Sequence, residues 1–377
     1  MILYFQKKKL SDLQKTLNVP EVLEMKYFGR KNQQYLDSLI DLIPADNCAL
    51  VVDACMGSGA FTKGISVGMT GNGTKAMAFE LDRSMYTLHI MAVQHPYELI
   101  DAIKQKSYSK ATYIASKNRI DNVLSHRSTD ITLKEQLQTA VAAYCSLYLS
   151  FNAMRASYRS LTTYKKETDP IKKEAKKQAQ LKTSFNFHEG IAEEILNEAE
   201  SLANVDIRNE SFMDAPELFE CPDNLIYLDV PYPLDQRDSS ESNENTDARK
   251  TTKKNRQDKL AADGKAGYLK DWTNKDHDKF LNLVHKAVAT GHPAKMIICA
   301  NFTVDEDGNL KNLAGNTYNK YLLPLGFRLV VVTNTTASVS SKNNSKVPKV
   351  EVVWINYKNI VGSWDDLTYF DYKDVYG

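Results

Sequence analysis

The stretch from Ala49 to Phe79 constrains the fold more than any other. Ala49 to Val52 is an apolar run of the kind that forms a buried strand, and it leads into VVDACMGSGAF, Val51 to Phe61, where an acid is followed by a turn through Gly57 and Gly59. Lys75 to Phe79, KAMAF, predicts a second strand one helix-length later. Such a β-turn-α-β opening belongs to a doubly wound α/β sheet, whose ligands bind at the carboxyl ends of the strands. The glycines leave backbone amides uncovered by any Cβ, so a ligand can come close to a helix N-terminus. The turn is not a phosphate-binding P-loop, because no Gly-Lys-Ser/Thr follows, and it lacks the third glycine of the dinucleotide fingerprint. A turn needed only for close packing would carry the same glycines.

Two further acids stand at strand ends. Glu80, in AMAFELD, follows the second strand and is placed to accept hydrogen bonds from ribose hydroxyls. Asp229 opens D-V-P-Y, Asp229 to Tyr232, directly after the apolar run Leu225 to Leu228. That tetrapeptide brings a carboxylate, a backbone carbonyl, a proline and an aromatic ring into one small volume, which suits a flat base gripped by its amine and its face. Taken alone it also fits a buried strand ending in a proline turn. Upstream, MKYFGRK offers Tyr27 as an aromatic wall and Lys31 as a charged tether.

The rest of the 377 residues divides around these motifs. Asp37 to Ile43 has helical apolar spacing, broken by Pro44. From about Arg83 to Ser201 the pattern predicts helices almost throughout, with Tyr144, Leu147, Tyr148 and Phe151 on one face; the block is too long for a single crossover and reads as an inserted helical domain. Strands are expected at Val205 to Arg208, Leu225 to Leu228, Met296 to Cys299, Arg328 to Thr333 and Val350 to Asn356, with a helix from Asn274 to Ala289. Leu234 to Gly267 contains hardly any large apolar side chain and reads as a flexible loop, with Tyr268 and Trp272 at its exit. Lone histidines such as His188 and His277 are expected at the surface or at helix ends. Domains of 1–82, 83–200 and 201–377 follow, the first and third completing one catalytic unit.

Composition excludes several classes. With 48 basic and 47 acidic residues the chain is nearly neutral, so any surface for a polyanion must be local. The five cysteines are far apart without paired spacing, which implies neither a disulfide framework nor a metal site and fits a reducing compartment. No run approaches the roughly 20 apolar residues of a membrane span, and the N-terminus lacks a signal-peptide pattern, so a cytoplasmic protein with no membrane partner is expected.

In order and spacing these motifs resemble the Dam-type adenine-specific (N6) DNA methyltransferases, which use S-adenosylmethionine. YFGRK resembles the family's W-A-G-G-K, DACMGSGAF its acid-x-F-x-G-x-G turn, FELD its N-D-I-N and DVPY its D-P-P-Y; Ala337 to Tyr357 resembles its closing segment. The sequence departs from that pattern at Arg30, where the family has glycine, at Cys55 for Phe, at Val230 for Pro, and at Ser211, before Phe212, for an acid. The resemblance implies a Rossmann-like methyltransferase sheet with an inserted helical DNA-recognition domain. It implies that S-adenosyl-L-methionine is held by Tyr27, Lys31, Asp53, Cys55, Gly57, Gly59, Phe61, Glu80, Ser211, Phe212 and Asp229. Double-stranded DNA is the implied partner, a cognate restriction endonuclease an admitted one, and a bacterial or phage-infected cell, at the nucleoid, the implied setting.

An exocyclic amine is a poor nucleophile because its lone pair is delocalised into the ring. Two acceptors on its hydrogens return electron density to nitrogen, and the Asp229 carboxylate and Val230 carbonyl are assigned to that work, with Pro231 fixing the turn and Tyr232 stacking on the extruded base. Transfer is then direct displacement, by positioning and electrostatics, after base flipping at a cost of about a few kcal/mol. Ring-carbon methylation would need a cysteine nucleophile, and Cys221 precedes a strand rather than following one. For DNA contact, Phe151 to Lys166 sets Phe151, Asn152, Arg155, Arg159, Lys165 and Lys166 together, lysines to neutralise phosphates and arginines to read guanine edges. Methylation of a cytosine amine or of RNA, a silent DNA-binding relative, and a plain nucleotide-binding module are the competing readings.

Overall fold

The computed structural model describes residues 33–70, 73–125, 132–150, 158, 165, 167–188, 190–230, 274–305, 308–337 and 347–377. Its strands are β1 (Leu50–Asp53), β2 (Lys75–Phe79), β3 (Val205–Arg208), β4 (Asn224–Leu228), β5 (Lys295–Thr303), β6 (Arg328–Ala337), β7 (Val347–Ile355) and β8 (Tyr369–Phe370). They form a single sheet in the order β3-β2-β1-β4-β5-β7-β6-β8. The strands from β3 to β5 are parallel, and β7, β6 and β8 close the sheet antiparallel. Strand order reverses between β1 and β4, which makes the crevice at their carboxyl ends the switch point of the sheet.

Alternation along the strands builds a core on each face. Leu225 and Tyr227 of β4 join Val51, Ile297 and Cys299 beneath α1 (Gln33–Ile40), whereas Ile226 and Leu228 join Val52, Phe79, Met296 and Ile298 on the opposite face. That second face is covered by α9 (Asn274–Ala289) and α10 (Thr317–Leu322). With both faces covered, β4 is buried along its whole length, which is why its sequence is an unbroken apolar run. β2, β3 and α9 keep their expected limits. The strands β5, β6 and β7 run beyond theirs through Asn301, Asn334, Thr335 and Lys349, because backbone pairing carries on where the side chains turn polar and the apolar signal stops. The first helix begins and ends earlier than its apolar spacing suggests: Leu42 and Ile43 are buried from a turn rather than from the helix.

The short α2 (Val67–Thr70) precedes β2, and between β2 and β3 lie α3 (Arg83–Gln94), α4 (Pro96–Lys104), α5 (Lys110–Ser125), α6 (Leu133–Tyr148), α7 (Pro170–His188) and α8 (Ile191–Leu202). They share a core of their own around Leu88, Leu99, Tyr144, Leu147, Phe187 and Ile195. Asp82 caps α3, accepting from the Ser84 amide at 2.9 Å. Tyr86, Ile90 and Leu202 set α3 and α8 against the sheet edge at Ala78 and Ile207. His188 ends α7, as expected, but His277 does not lie at the surface. It is buried in the first turn of α9 with Nδ1 3.0 Å from the Tyr318 hydroxyl, because it shares the helical face of Phe280, Leu281 and Val284 and a hydrogen bond makes a buried imidazole tolerable.

Candidate active site

Four of the five parallel strands deliver a polar group to the same end of the sheet. Asp53 closes β1, Glu80 follows β2, Ser211 lies just beyond β3, and Asp229 follows β4. The turn between them is tied at each step. The Ala54 amide donates to the Tyr227 carbonyl at 2.9 Å and the Met56 amide to the Phe79 carbonyl at 2.9 Å, so the turn is stitched to both neighbouring strands. Gly57 and Gly59 have positive φ of 52° and 72°. A Cβ on Gly59 would lie 3.0 Å from the Met56 methyl carbon, which would have to shift, but it is the positive φ that makes glycine the residue for this position.

The acids differ in their surroundings. Glu80 is buried, its Oε2 accepting from the Gly57 amide at 2.9 Å and its Oε1 from the Asp82 amide at 2.7 Å. It therefore braces the glycine turn, and its carboxylate keeps lone pairs beyond these two bonds. Asp53 is buried, and loss of hydration pushes its pKa up to about 6; the Thr62 hydroxyl, donating at 2.7 Å, and the Cys55 amide pull it down, while Asp229 pushes it up. Asp229 itself is part-exposed. Burial, then the charges of Asp53, Asp229 and Glu80, raise the Cys55 thiol well above its ordinary range, so this cysteine stays a neutral thiol rather than a nucleophile. These mutual influences bring Asp53, Cys55, Glu80 and Asp229 into one neighbourhood.

Aromatic candidates turn inward. The Phe61 ring is buried and stacked on Tyr227, with centroids 3.9 Å apart and planes 4° from parallel. Phe212 is buried between Phe219 and Phe280. Ser211 caps the short helix after it, accepting from the Met213 amide at 3.3 Å. The Val230 side chain lies in the core beside Val52 and Leu228, so the space a proline ring would take is filled by another apolar group, and the backbone carbonyl that the chemistry asks for is common to both residues. Lys165 is exposed. Tyr27, Lys31, Phe151, Asn152, Arg155, Arg159, Lys166, Pro231, Tyr232 and the 234–267 loop lie outside the described residues.

Behind the turn the structure assembles a group that the sequence reading missed. After Phe61 the chain opens into a π-helical turn, Thr62–Ser66, a widening often found at functional sites. It sends the Thr62 hydroxyl to Asp53 and the Lys63 ammonium to Glu198 of α8, 2.6 Å away and fully buried. His89 of α3 sits between Glu198 Oε1, 2.6 Å from its Nδ1, and the Gly57 carbonyl, 2.9 Å from its Nε2. Burial would raise the Glu198 carboxyl, but Lys63 and His89 outweigh it and hold its pKa at about 2. Glu194, one turn earlier, is pushed up to about 7 by burial, against hydrogen bonds from Tyr148 and Tyr144. One signal for these acids was available: Glu194 and Glu198 share the helical face of Ile191, Ile195 and Leu202, where an acid is out of place unless paired.

A sheet whose parallel half carries a glycine turn and acids at its switch point has the architecture of doubly wound α/β domains, in which ligands bind at that crevice. More particularly, the model of the D12 class N6 adenine-specific DNA methyltransferase matches residues 27–293, and the chain belongs to that family. The family's reaction is methylation of adenine in DNA, with S-adenosylmethionine and base flipping typical of its members. No curated protein matches the chain. Among the described residues, no helix is long and apolar enough to cross a membrane.

Proposed function

We propose that this chain transfers a methyl group from S-adenosylmethionine to the exocyclic amine of adenine in duplex DNA, with the cofactor at the glycine turn and the amine at Asp229. The observation that carries the reading is the gathering of Asp53, Glu80 and Asp229 around that turn at the carboxyl ends of β1, β2 and β4. Bound S-adenosylmethionine supplies a methyl group carried on a positively charged sulfur. The residues fit such a ligand: the glycines at positive φ hold a turn whose backbone no Cβ covers, and a cation is favoured beside ionised carboxylates. Tyr27 and Lys31 are assigned to flank it, Glu80 to face the ribose, and Ser211 with Phe212 to border the adenine.

Asp229 and the Val230 carbonyl accept the two amine hydrogens, restoring electron density to nitrogen; Pro231 aims them and Tyr232 stacks on the flipped base. The Asp229 carboxylate also accepts the proton that the amine must lose once it is methylated. Helices between β2 and β3, with Phe151, Asn152, Arg155, Arg159, Lys165 and Lys166, form the DNA-recognition region, and the 234–267 loop closes over the flipped base. What supports this reading is the family membership and the position of the block in the chain.

Expression in a host without adenine methylation, followed by modification-sensitive sequencing of its DNA, tests the proposal. Methyladenine confined to one short sequence is expected, and Asp229→Ala should lower transfer by about 100-fold or more while S-adenosylmethionine still binds. Methylcytosine would shift the substrate to the other exocyclic amine. Unmodified DNA with cofactor still bound would identify a silent relative, and full activity in Asp229→Ala would remove Asp229 from its role.

A further inference from the structure

Both backbone polar groups of Gly57, which belong to successive peptide units, are held by side chains. The Gly57 N–H donates to Glu80 at 2.9 Å, and its carbonyl meets the Nε2 of His89 at 2.9 Å. His89 is fully buried, and its other nitrogen meets Glu198, which also receives the Lys63 ammonium. Both partners of the ring, a carboxylate and a carbonyl, are acceptors, so the ring donates from both nitrogens and is an imidazolium. Two cations, Lys63 and His89, thus enclose the Glu198 anion; Glu194, bonded by Tyr144 and Tyr148, is the further acid in the same interior.

A peptide unit is planar and trans, so its C=O and N–H point in opposite directions. Fixing the Gly57 carbonyl toward α3 therefore directs the Ser58 N–H away from α3. Gly57 itself, at φ 52°, has no Cβ to restrict its rotation, and its orientation is left to these side chains. The helix that supplies Glu198 is the last of the block between β2 and β3, 135 residues along the chain from Lys63.

We propose that His89 is a positioning residue for the cofactor turn, and that the Lys63–Glu198–His89 group couples α8 of the helical block to occupancy of that turn. The proposal rests on the reading that the glycine turn holds the cofactor. Coupling of this kind is reciprocal: whatever seats α8 raises cofactor affinity, and cofactor binding seats α8. A cluster with a merely structural role would lower stability when broken without treating the two sides of the imidazole differently.

The test uses the full chain and S-adenosylmethionine. His89→Gln keeps a donor at the position of Nε2, toward Gly57, whereas His89→Asn keeps one at the position of Nδ1, toward Glu198. Calorimetric titration should show His89→Asn weakening cofactor affinity by about tenfold or more and His89→Gln by about threefold or less, whatever their unfolding midpoints. Equal losses in the two folded variants would overturn the proposal. Hydrogen exchange on the unmodified chain needs no variant to fold: added S-adenosylmethionine should slow amide exchange in 54–62 and also in 191–202. Slowing in 54–62 alone overturns the coupling and leaves the cofactor reading standing. Slowing in neither segment overturns that reading, and the proposal with it.

Discussion

Two buried carboxylates have partners that are neighbours in the chain, Thr62 and Lys63, yet their pKa values are shifted in opposite directions. At the front of the glycine turn, Asp53 is surrounded by other acids and by neutral donors, and its pKa rises to about 6. Behind the turn, Glu198 is no less buried, yet Lys63 and His89 bring it down to about 2. Burial is common to both and cannot explain the difference; the cations do. The front is thereby left with surplus negative potential facing the crevice, which suits a cationic ligand, while the back is internally compensated and serves as a rigid support. Thr62 and Lys63, adjacent in the π-helical turn, each serve one of the two sites.

The comparison breaks most directly at Lys63. Lys63→Met removes a cation from a buried anion and should lower stability by about 3–5 kcal/mol in urea unfolding, with much of the loss recovered by adding Glu198→Leu. A small effect of Lys63→Met would mean that the compensation is not what holds the back of the turn. Asp53→Asn should do the reverse and raise stability at pH 8 by about 1–2 kcal/mol, since it relieves an uncompensated charge.

The pH dependence follows from the same two shifts. Asp53 binds its proton more tightly folded than unfolded, so its contribution to stability falls as pH rises from about 4 to 6, and Asp53→Asn should abolish that slope. Glu198 has the opposite sign: its contribution is present above its unfolded value of roughly 4.3 and is lost as pH falls through about 2. An unfolding series between pH 3 and 8 that showed one slope for both groups would contradict the contrast. The smallest effect is expected at Arg208, whose exposed pair with Asp206 spans 2.9 Å, close to the Lys63–Glu198 length. Asp206→Asn should change stability by about 0.5 kcal/mol or less, which would identify burial rather than distance as the amplifier.

Much of this site was legible before the fold. The run ending at Asp53, the glycine turn, the run ending at Phe79 and the run before Asp229 announced a parallel sheet and the end of it that binds, because strand ends and turns leave their marks within a few residues. Other readings needed the third dimension. Phe61 and Phe212 sit in motifs that suggest ligand contact, and only the fold showed that both rings are buried among other side chains. Glu80 was expected to face a ribose, and only the fold showed that its carboxylate also braces the turn through the Gly57 and Asp82 amides. His277 gave no sign of its buried partner, since Tyr318 is 41 residues away.

What the sequence determined by itself is therefore whatever a local window carries: alternation, helical spacing, the positive-φ glycines and the order of motifs that places the chain in its family. What only the tertiary structure decided is which charges meet. Lys63 and His89 do not stand out in their own neighbourhoods, and Glu198, though out of place on an apolar helical face, gives no hint of a partner 135 residues away. They become one group because α3 and α8 pack against the sheet edge beside the glycine turn, in an interior where an ion without a partner would not be tolerated.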